Sequence, residues 1–400
     1  MVSLREIITG SADDLAQELA SLNVDQGGIG IMARKARLHV LRLRQLSSPA
    51  ANILKQEMLS LGADCATGRT VILGDENPQD VLVLATRRQL DKAAKKLKAQ
   101  PFGLKVIARQ IESFLEARYR PGRTGDLLSR LVSGSEPPLI MGILNVTPDS
   151  FSDGGKFATE EAAVARGREL SRQGADLIDV GGESTRPGSD PVPAEVEQAR
   201  VVPVLAALAG PEQALLSIDT MKAEVAAAAL QAGAALVNDV SAGRHDPEML
   251  PLIASHGCPV VLMHMQGQPR TMQEAPAYDN LMDDLHRFFD ERLAAATKAG
   301  VPEENIILDP GIGFGKRLAD NYEILRRLPE LLIFGRPILV GVSRKSFLQN
   351  PAGEKPRERL PESITAGALA MANGADLLRV HDVEPAVKSR TIVRRLLERA

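Results

Sequence analysis

Short apolar runs that end in polar or glycine-rich stretches recur along the last two thirds of the chain. Each run has the length and the apolar, branched composition of a buried strand, and a segment with helical periodicity follows it. Strands that alternate with helices in this way predict an α/β fold. The eight predicted strands cover residues 139–144, 176–180, 215–219, 235–240, 259–264, 305–309, 336–342 and 376–380.

Eight strand and helix units match the size and order of a (β/α)8 TIM barrel. The main alternative is a doubly wound open sheet, which would have one dominant crevice where the strand order reverses. Polar side chains instead follow nearly every predicted strand. In a barrel the carboxyl ends of all strands converge on one mouth, so we expect these side chains to form a single site.

The pattern before residue 119 is different and predicts a smaller α/β or α+β domain. The predicted elements are a helix over 12–22, a glycine-rich break at 27–30, and strands over 38–44, 70–73 and 81–84. Thr86 and Gln89 predict a capping box for a further helix. We therefore expect domains at 1–118 and 139–400, joined by a linker at 119–138 that is rich in Arg, Gly, Ser and Pro. Nothing in the first domain clusters like an active site.

Composition is that of an ordinary globular protein, since 44% of the 400 residues are hydrophobic and 25% are charged. Cys65 and Cys258 have neither a metal-binding spacing nor a disulfide framework, which suits a reducing compartment. The first residues lack the basic and then apolar pattern of a signal peptide, and no apolar run is long enough to span a bilayer. We expect a cytoplasmic protein with no membrane partner.

Charge is distributed unevenly along the chain. Residues 1–135 hold 20 Lys and Arg against 14 Asp and Glu, a net charge of +6, whereas the remainder holds 28 against 37. This asymmetry supports a domain boundary. A solvated basic face gives the same count and no nucleic-acid-binding motif accompanies it, so we expect no nucleic-acid partner.

Two carboxylates and an amide occupy the ends of three predicted strands. Asp219 ends the third strand, Asn238 lies near the end of the fourth, and Asp309 ends the sixth, before Pro310 and a glycine-rich loop. Each residue taken alone has a simpler explanation as a helix cap. Three of them at one mouth suit a flat heterocycle with an aminopyrimidinone edge, because a carboxylate accepts two parallel N–H bonds from such an edge.

Cationic side chains follow the last two strands. Lys345 comes after strand seven, where it can pair with a carboxylate or hold a substrate carbonyl, and Ser343 offers a hydroxyl to an anion. Arg379 and His381 are two residues apart in strand eight, so they point to the same side. A diphosphate would match this pair together with a Mg²⁺ ion held by the amide oxygen of Asn145.

Loops after the first two strands complete the candidate site. Thr185 and Arg186 present a hydroxyl and a guanidinium suited to an oxyanion. Loops of this composition are often only turns or solvated segments, and the sequence leaves that alternative open. No Cys nucleophile, Ser/His/Asp arrangement or catalytic acid pair is evident. We infer a site that binds a planar heterocycle and a charged leaving group, and that assists departure through electrostatics.

The residues at these strand ends closely resemble the motifs of the dihydropteroate synthase family, in the right order from about residue 139 onward. The motifs are Asn145-Val-Thr-Pro-Asp-Ser-Phe-Ser-Asp-Gly-Gly, Gly181-Gly-Glu-Ser-Thr-Arg-Pro-Gly, Ser217-Ile-Asp-Thr, Asn238-Asp-Val-Ser, Met263-His-Met-Gln-Gly, Asp309-Pro-Gly-Ile-Gly-Phe-Gly-Lys, Ser343-Arg-Lys-Ser-Phe and Arg379-Val-His-Asp. Eight motifs together are far more specific than any one of them.

The resemblance implies an enzyme of folate biosynthesis and a sulfonamide target. Its reaction would condense 6-hydroxymethyl-7,8-dihydropterin diphosphate with 4-aminobenzoate, giving 7,8-dihydropteroate and diphosphate. The family mechanism is dissociative, because diphosphate leaves before the arylamine attacks. A homodimer formed through the barrel is also implied.

Residue roles follow from the same resemblance. Asp219, Lys345 and Arg379 would be the catalytic residues. The other roles implied are pterin binding by Asp219, Asn238, Asp309 and Lys345, diphosphate binding by Asn145, Arg379 and His381, Mg²⁺ binding by Asn145, and 4-aminobenzoate binding by Thr185, Arg186, Ser343, Phe151, Pro187 and Phe314.

The extension before residue 136 departs from many members of this family, and the sequence does not choose between regulation, assembly and partner binding for it. Two rival functions share part of the pattern. A pterin-dependent methyltransferase needs no diphosphate site, so Arg379 and His381 argue against it. A non-catalytic pterin-binding protein would keep Asp219, Asn238 and Asp309, with little need for the two loops.

Overall fold

The computed structural model describes residues 12–119, 127, 131, 137–147, 156–184, 190–210, 214–267, 271–348 and 356–397. The chain divides into two compact units, Met1–Arg120 and Pro121–Ala400. Most of the predicted linker at 119–138 lies outside the described residues.

The N-terminal unit contains a three-stranded antiparallel sheet and helices that pack against it. Its elements are α1 (Ala12–Ser21), α2 (Gln26–Ala33), β1 (Leu38–Leu46), α3 (Ser48–Ser60), β2 (Asp64–Ala66), a 3₁₀ turn (Val71–Leu73), β3 (Gln79–Thr86), α4 (Arg87–Leu97) and α5 (Leu104–Tyr119). The strand order is β1, β3, β2. Val81, Val83 and Ala85 alternate along β3 and are buried in one core with α3, α4 and α5, as the period of a strand requires.

Several local predictions for this unit were wrong, and each has a physical reason. Residues 27–30 form part of α2 because the Asp25 side chain caps that helix, accepting a hydrogen bond from Gly28 N at 2.9 Å. Residues 70–73 contain a 3₁₀ turn that ends at Gly74 with φ +76°. The short strand β2 was not predicted, whereas the capping box is confirmed by the bond from Thr86 N to Gln89 Oε1 at 2.8 Å.

The C-terminal unit is a parallel eight-stranded barrel. Its strands are β4 (Leu139–Asn145), β5 (Leu177–Gly181), β6 (Leu215–Asp219), β7 (Leu236–Asp239), β8 (Val260–Met263), β9 (Ile306–Asp309), β10 (Leu339–Val340) and β11 (Leu377–Val380). Its helices are α6 (Lys156–Arg172), α7 (Ala194–Leu208), α8 (Ala223–Gln231), α9 (Met249–His256), α10 (Leu281–Lys298), α11 (Leu318–Arg327), α12 (Leu360–Ala372) and α13 (Val383–Leu397).

The sheet closes on itself. Strand order runs β10, β11, β4, β5, β6, β7, β8, β9, and a parallel bridge between Leu308 and Ile338 joins its two ends. An open doubly wound sheet would leave two edges, so that alternative is wrong and the predicted barrel is confirmed.

Alternation along the strands separates two environments. One set of residues, including Ile178, Ile218 and Val237, is buried in a core with the surrounding helices. The other set points into the barrel, where Leu139, Leu177, Leu236, Val261, Ile307, Leu339 and Leu377 form a second apolar cluster. On four of these strands the next inward position toward the carboxyl end is polar, at Asp179, Asn238, Asp309 and Arg379, so the apolar cluster lies beneath a partly polar mouth.

Two compositional expectations can be compared with the structure. Both cysteines are buried free thiols. Within the residues that the structure describes, no helix combines the length and the hydrophobicity needed to cross a bilayer.

Candidate active site

Arg379 connects two carboxylates inside the barrel mouth. Its Nε donates to Asp179 Oδ2 at 2.6 Å, and a terminal nitrogen donates to Asp219 Oδ2 at 2.7 Å. Asp179 is fully buried and also accepts from Ser217 Oγ at 2.6 Å and from Asn238 Nδ2 at 2.8 Å. Burial lowers the pKa of Arg379, but the charges of Asp179 and Asp219 outweigh it and raise that pKa. These residues form one network with a cation at its centre.

Asp219 keeps one oxygen available in this network. Its Oδ1 is buried and has no hydrogen-bond partner in the structure. Burial raises the pKa of Asp219 to about 7, while the nearby Arg379 lowers it and Asp179 raises it. An unpartnered buried acceptor is costly, so a ligand that donates an N–H bond here would gain the full benefit of the interaction.

Asn145 lies close to the same carboxylate. A Cβ on Gly181 would lie 3.7 Å from Asn145 Oδ1 and 3.7 Å from Asp219 Oδ2. The absence of a side chain at Gly181 therefore leaves room between two oxygen atoms. Among the residues that the structure describes, no group of three His, Cys, Asp or Glu side chains is arranged to bind a metal. An amide oxygen near a carboxylate would suit a Mg²⁺ ion that takes most of its ligands from substrate and water.

Asp309 and Lys345 face each other across the mouth. Asp309 Oδ1 accepts from Gly311 N at 2.7 Å, and the Lys345 ammonium bonds to the Ile312 carbonyl. Burial raises the pKa of Asp309, and the Lys345 charge lowers it in part. Burial likewise lowers the pKa of Lys345 to about 8, although Asp309 opposes that change. The Lys345 ammonium also lies 4.7 Å from the centre of the Phe314 ring.

Ser343 and His381 lie close together, although the family resemblance implies that Ser343 binds 4-aminobenzoate and His381 binds the diphosphate. The Ser343 hydroxyl is 3.1 Å from His381 Nδ1 and accepts from His381 N at 3.2 Å. The neighbouring Arg344 has φ +60° and pairs with Asp382 through two hydrogen bonds, at 2.9 Å and 2.5 Å. This pair ties the loop after β10 to the loop after β11.

The structure thus brings together most of the predicted site residues. Asn145, Asp219, Asn238, Asp309, Ser343, Lys345, Arg379 and His381 all lie at the carboxyl ends of the barrel strands or just after them, and Phe314 lies in the loop after β9. Four predicted residues, Phe151, Thr185, Arg186 and Pro187, lie outside the described residues.

Sequence reasoning missed Asp179 and Ser217, which complete the network around Arg379. The prediction gave neither residue a role, although each lies two positions before the end of its strand, Asp179 in β5 and Ser217 in β6. An ionisable residue within an otherwise apolar parallel strand was the available signal. Such a residue needs a buried partner, because an unpaired charge cannot be kept inside a barrel at low cost.

Comparison with protein families matches residues 141–381 to a family described as pterin binding enzyme. The dihydropteroate synthase of Escherichia coli (strain K12) is 46% identical over 256 residues, which cover 64% of this chain and 90% of that protein. A solved structure, dihydropteroate synthase of Xanthomonas albilineans with 4-aminobenzoic acid, has 47% identity and a TM-score of 0.62. The match covers 66% of this chain and 94% of the chain in that structure.

A longer relative matches both units. The probable bifunctional folylpolyglutamate synthase/dihydropteroate synthase of Haloferax volcanii is 39% identical over 381 residues, which cover 93% of this chain and 45% of that protein. The chain therefore spans about half the length of this relative, and the match includes most of the N-terminal unit.

The network predicts a large effect of Asp179→Asn on stability. The variant removes a buried charge that partners Arg379, and it turns an amide N–H toward other donors. We expect a loss of about 3 kcal/mol in the free energy of unfolding of the barrel, measured by urea denaturation. Glu384→Gln removes a partner from the exposed pair with Lys388 and should leave the unfolding midpoint unchanged. Equal effects of the two variants would show that the buried network does not stabilise the barrel.

Proposed function

Since this chain belongs to the dihydropteroate synthases of the pterin-binding enzyme family, we propose that its barrel makes 7,8-dihydropteroate. The substrates would be 6-hydroxymethyl-7,8-dihydropterin diphosphate and 4-aminobenzoate. The observation that carries the proposal is the buried Oδ1 of Asp219, which has no hydrogen-bond partner and is held beside Arg379. It is a buried acceptor that a polar heterocycle in the barrel mouth could satisfy.

The pterin ring is assigned to the carboxylates and the amide. Asp219 and Asp309 accept N–H bonds from its aminopyrimidinone edge, and Lys345 donates to a ring carbonyl or nitrogen. Asn238 already donates through Nδ2 to Asp179, which orients its amide oxygen. Three groups are therefore oriented by the protein before a ligand arrives: Asn238 by Asp179, Asp309 by Gly311, and Lys345 by Ile312.

The diphosphate is assigned to Arg379, His381 and Asn145. Two nitrogens of Arg379 are already bonded to carboxylates, so one terminal nitrogen remains for an oxyanion. Asn145 would hold Mg²⁺, whose contribution when bound would be to neutralise charge on the leaving diphosphate. The remaining residues of the predicted site, Ser343 and Phe314 together with Thr185, Arg186, Phe151 and Pro187, are assigned to 4-aminobenzoate.

The proposed chemistry has two bond changes. The C–O bond between the pterin methylene carbon and the diphosphate breaks, and both electrons leave with the diphosphate. The arylamine nitrogen then forms a C–N bond to the methylene carbon and loses a proton. Asp219 lies where a carboxylate stabilises the pterin cation, and Arg379 where a guanidinium stabilises the departing anion.

A direct assay tests this function. We expect the purified chain, given both substrates and Mg²⁺, to form 7,8-dihydropteroate, detected by liquid chromatography and mass spectrometry. Treatment with EDTA should abolish product formation, and added Mg²⁺ should restore it. Pterin binding without product would favour the non-catalytic alternative. Methyl transfer to a corrinoid in place of condensation would favour the methyltransferase.

The pKa shifts predict a bell-shaped pH profile for kcat/KM of the pterin diphosphate. The Asp219 carboxylate is lost as pH falls below about 7, and the Lys345 ammonium is lost as pH rises above about 8. Asp219→Asn should lower kcat by about 10²-fold to 10³-fold and remove the acid limb. Lys345→Arg should shift the alkaline limb upward. An unchanged acid limb in Asp219→Asn would contradict this assignment. Ionisation of the substrate affects the wild type and the variants equally, so a difference between their pH profiles reports on the protein.

We also propose that the barrel forms a homodimer. Leu369 on α12 and Ile392 and Leu396 on α13 are more than half exposed, and the two helices are neighbours. Sedimentation should give twice the 42.9 kDa mass of one chain, and Ile392→Glu should shift it to the monomer. Val106→Glu, at an exposed position of the N-terminal unit, is the matched control and should leave the mass unchanged. A monomeric wild-type protein would exclude this assembly.

A further inference from the structure

Lys316 is a buried lysine that the proposed chemistry does not use. Its side chain is only 3% exposed, and its ammonium lies 2.9 Å from His264 Nδ1, 3.3 Å from the His264 carbonyl oxygen and 3.0 Å from the Phe314 carbonyl oxygen. An ammonium has three N–H donors, so these contacts use all of them. When Lys316 carries this charge, His264 Nδ1 accepts from it. Burial lowers the pKa of Lys316 to about 7 and holds the pKa of His264 well below its usual value.

The three contacts join two segments that approach each other unusually closely. Gly311 has φ +66°, and a Cβ at that position would lie 1.9 Å from the His264 carbonyl oxygen. Gly315 has φ +61°, and its Cβ would lie 2.5 Å from the Gln266 carbonyl oxygen. Only glycine permits this approach of the loop after β9 to the chain after β8. The Lys316 ammonium bonds to one backbone carbonyl from each segment, that of His264 after β8 and that of Phe314 after β9.

The loop held in this way carries groups from both sides of the proposed site. Asp309 Oδ1 accepts from the Gly311 amide at the start of the loop. The Phe314 ring packs against a methionine cluster that includes Met263 and Met265, and it faces the Lys345 ammonium. Phe314 is only partly buried, and its ring lies beside Lys345, a residue assigned to the pterin. The backbone carbonyl of that same residue accepts the bond from Lys316.

We propose that Lys316 is a positioning residue for the second substrate, because its ammonium fixes Phe314 against the end of β8 and so shapes the wall that 4-aminobenzoate contacts. This inference rests on the proposed function. Lys316 itself touches no substrate. The rival role is electrostatic, since the Lys316 charge also acts on Asp309. The two roles differ in which substrate affinity they affect. If Lys316 positions Phe314, its loss weakens binding of 4-aminobenzoate. If Lys316 instead balances the charge of Asp309, its loss weakens binding of the pterin.

Lys316→Met tests the inference by removing the ammonium while keeping a long apolar side chain. We expect KM for 4-aminobenzoate to rise about tenfold, with affinity for the pterin diphosphate changed by less than about twofold. Lys298→Met, at an exposed position near the end of α10, is the matched control and should change neither constant. A loss of pterin affinity with unchanged KM for 4-aminobenzoate would overturn the inference in favour of the electrostatic role.

A double-mutant cycle tests whether Lys316 acts through Phe314. In a Phe314→Ala background, Lys316→Met should raise KM for 4-aminobenzoate by less than about twofold, because the wall is already absent. A full tenfold increase in that background would overturn the inference. If Lys316→Met does not fold, Lys316→Gln removes the charge but retains two N–H donors for the carbonyls, so KM for 4-aminobenzoate and affinity for the pterin diphosphate should both stay within about twofold of wild type. A loss of pterin affinity in a folded Lys316→Gln variant would overturn the inference in favour of the electrostatic role.

Failure of the proposed function has a separate signature. Wild type and Lys298→Met would then both form no dihydropteroate. In that case calorimetric titration with 4-aminobenzoate gives a dissociation constant for each variant, and these constants are compared in place of KM. A wild-type dissociation constant that Lys316→Met leaves unchanged, or no binding by the wild type, would overturn the inference.

Discussion

The ion pairs of Arg379 with Asp179 and Asp219 are the interaction on which the barrel mouth depends. Charges inside a barrel are costly unless each has an oppositely charged partner and its remaining hydrogen-bonding positions are filled. Asp179 meets both conditions, because Arg379, Ser217 and Asn238 all donate to it. Asp219 meets only the first, since its Oδ1 has no partner. The same guanidinium therefore stabilises one carboxylate for structure and leaves the other available for a ligand.

The glycine-rich loop after β9 depends on a second constraint, the contact of two backbone segments. Gly311 and Gly315 adopt positive φ and lie too close to neighbouring carbonyls for any side chain. A motif of this kind is often read as a phosphate cradle, yet here the Gly311 amide bonds to Asp309 and the Gly313 amide to Asn321. The loop therefore orients an acid and an aromatic ring, and the cationic groups assigned to the diphosphate come from another part of the mouth.

Much of the fold and of the site could be predicted from the sequence, because both follow from the alternation of inward-facing and outward-facing residues along each strand. Inward and outward positions repeat every second residue, so strands that carry Asp219, Asn238 or Asp309 at or near their carboxyl ends bring those groups to one mouth. Alternation alone does not identify the partners of Asp179 and Lys316, because Arg379 and His264 are distant from them in sequence. It also failed at residues 70–73, where Ile72 and Leu73 look like strand residues but are more than three quarters exposed. Apolar character alone does not show whether tertiary contacts exist to bury it.

Charge in the mouth connects the architecture to the proposed chemistry. Burial moves the pKa of Asp219 up and that of Lys345 down, so each is brought toward its neutral form near physiological pH. A heterocycle that donates N–H bonds to Asp219 and accepts one from Lys345 stabilises the charged form of both groups at once. In the proposed reaction, binding of such a ligand would favour the carboxylate form of Asp219, which is the form that would stabilise a pterin cation as diphosphate leaves.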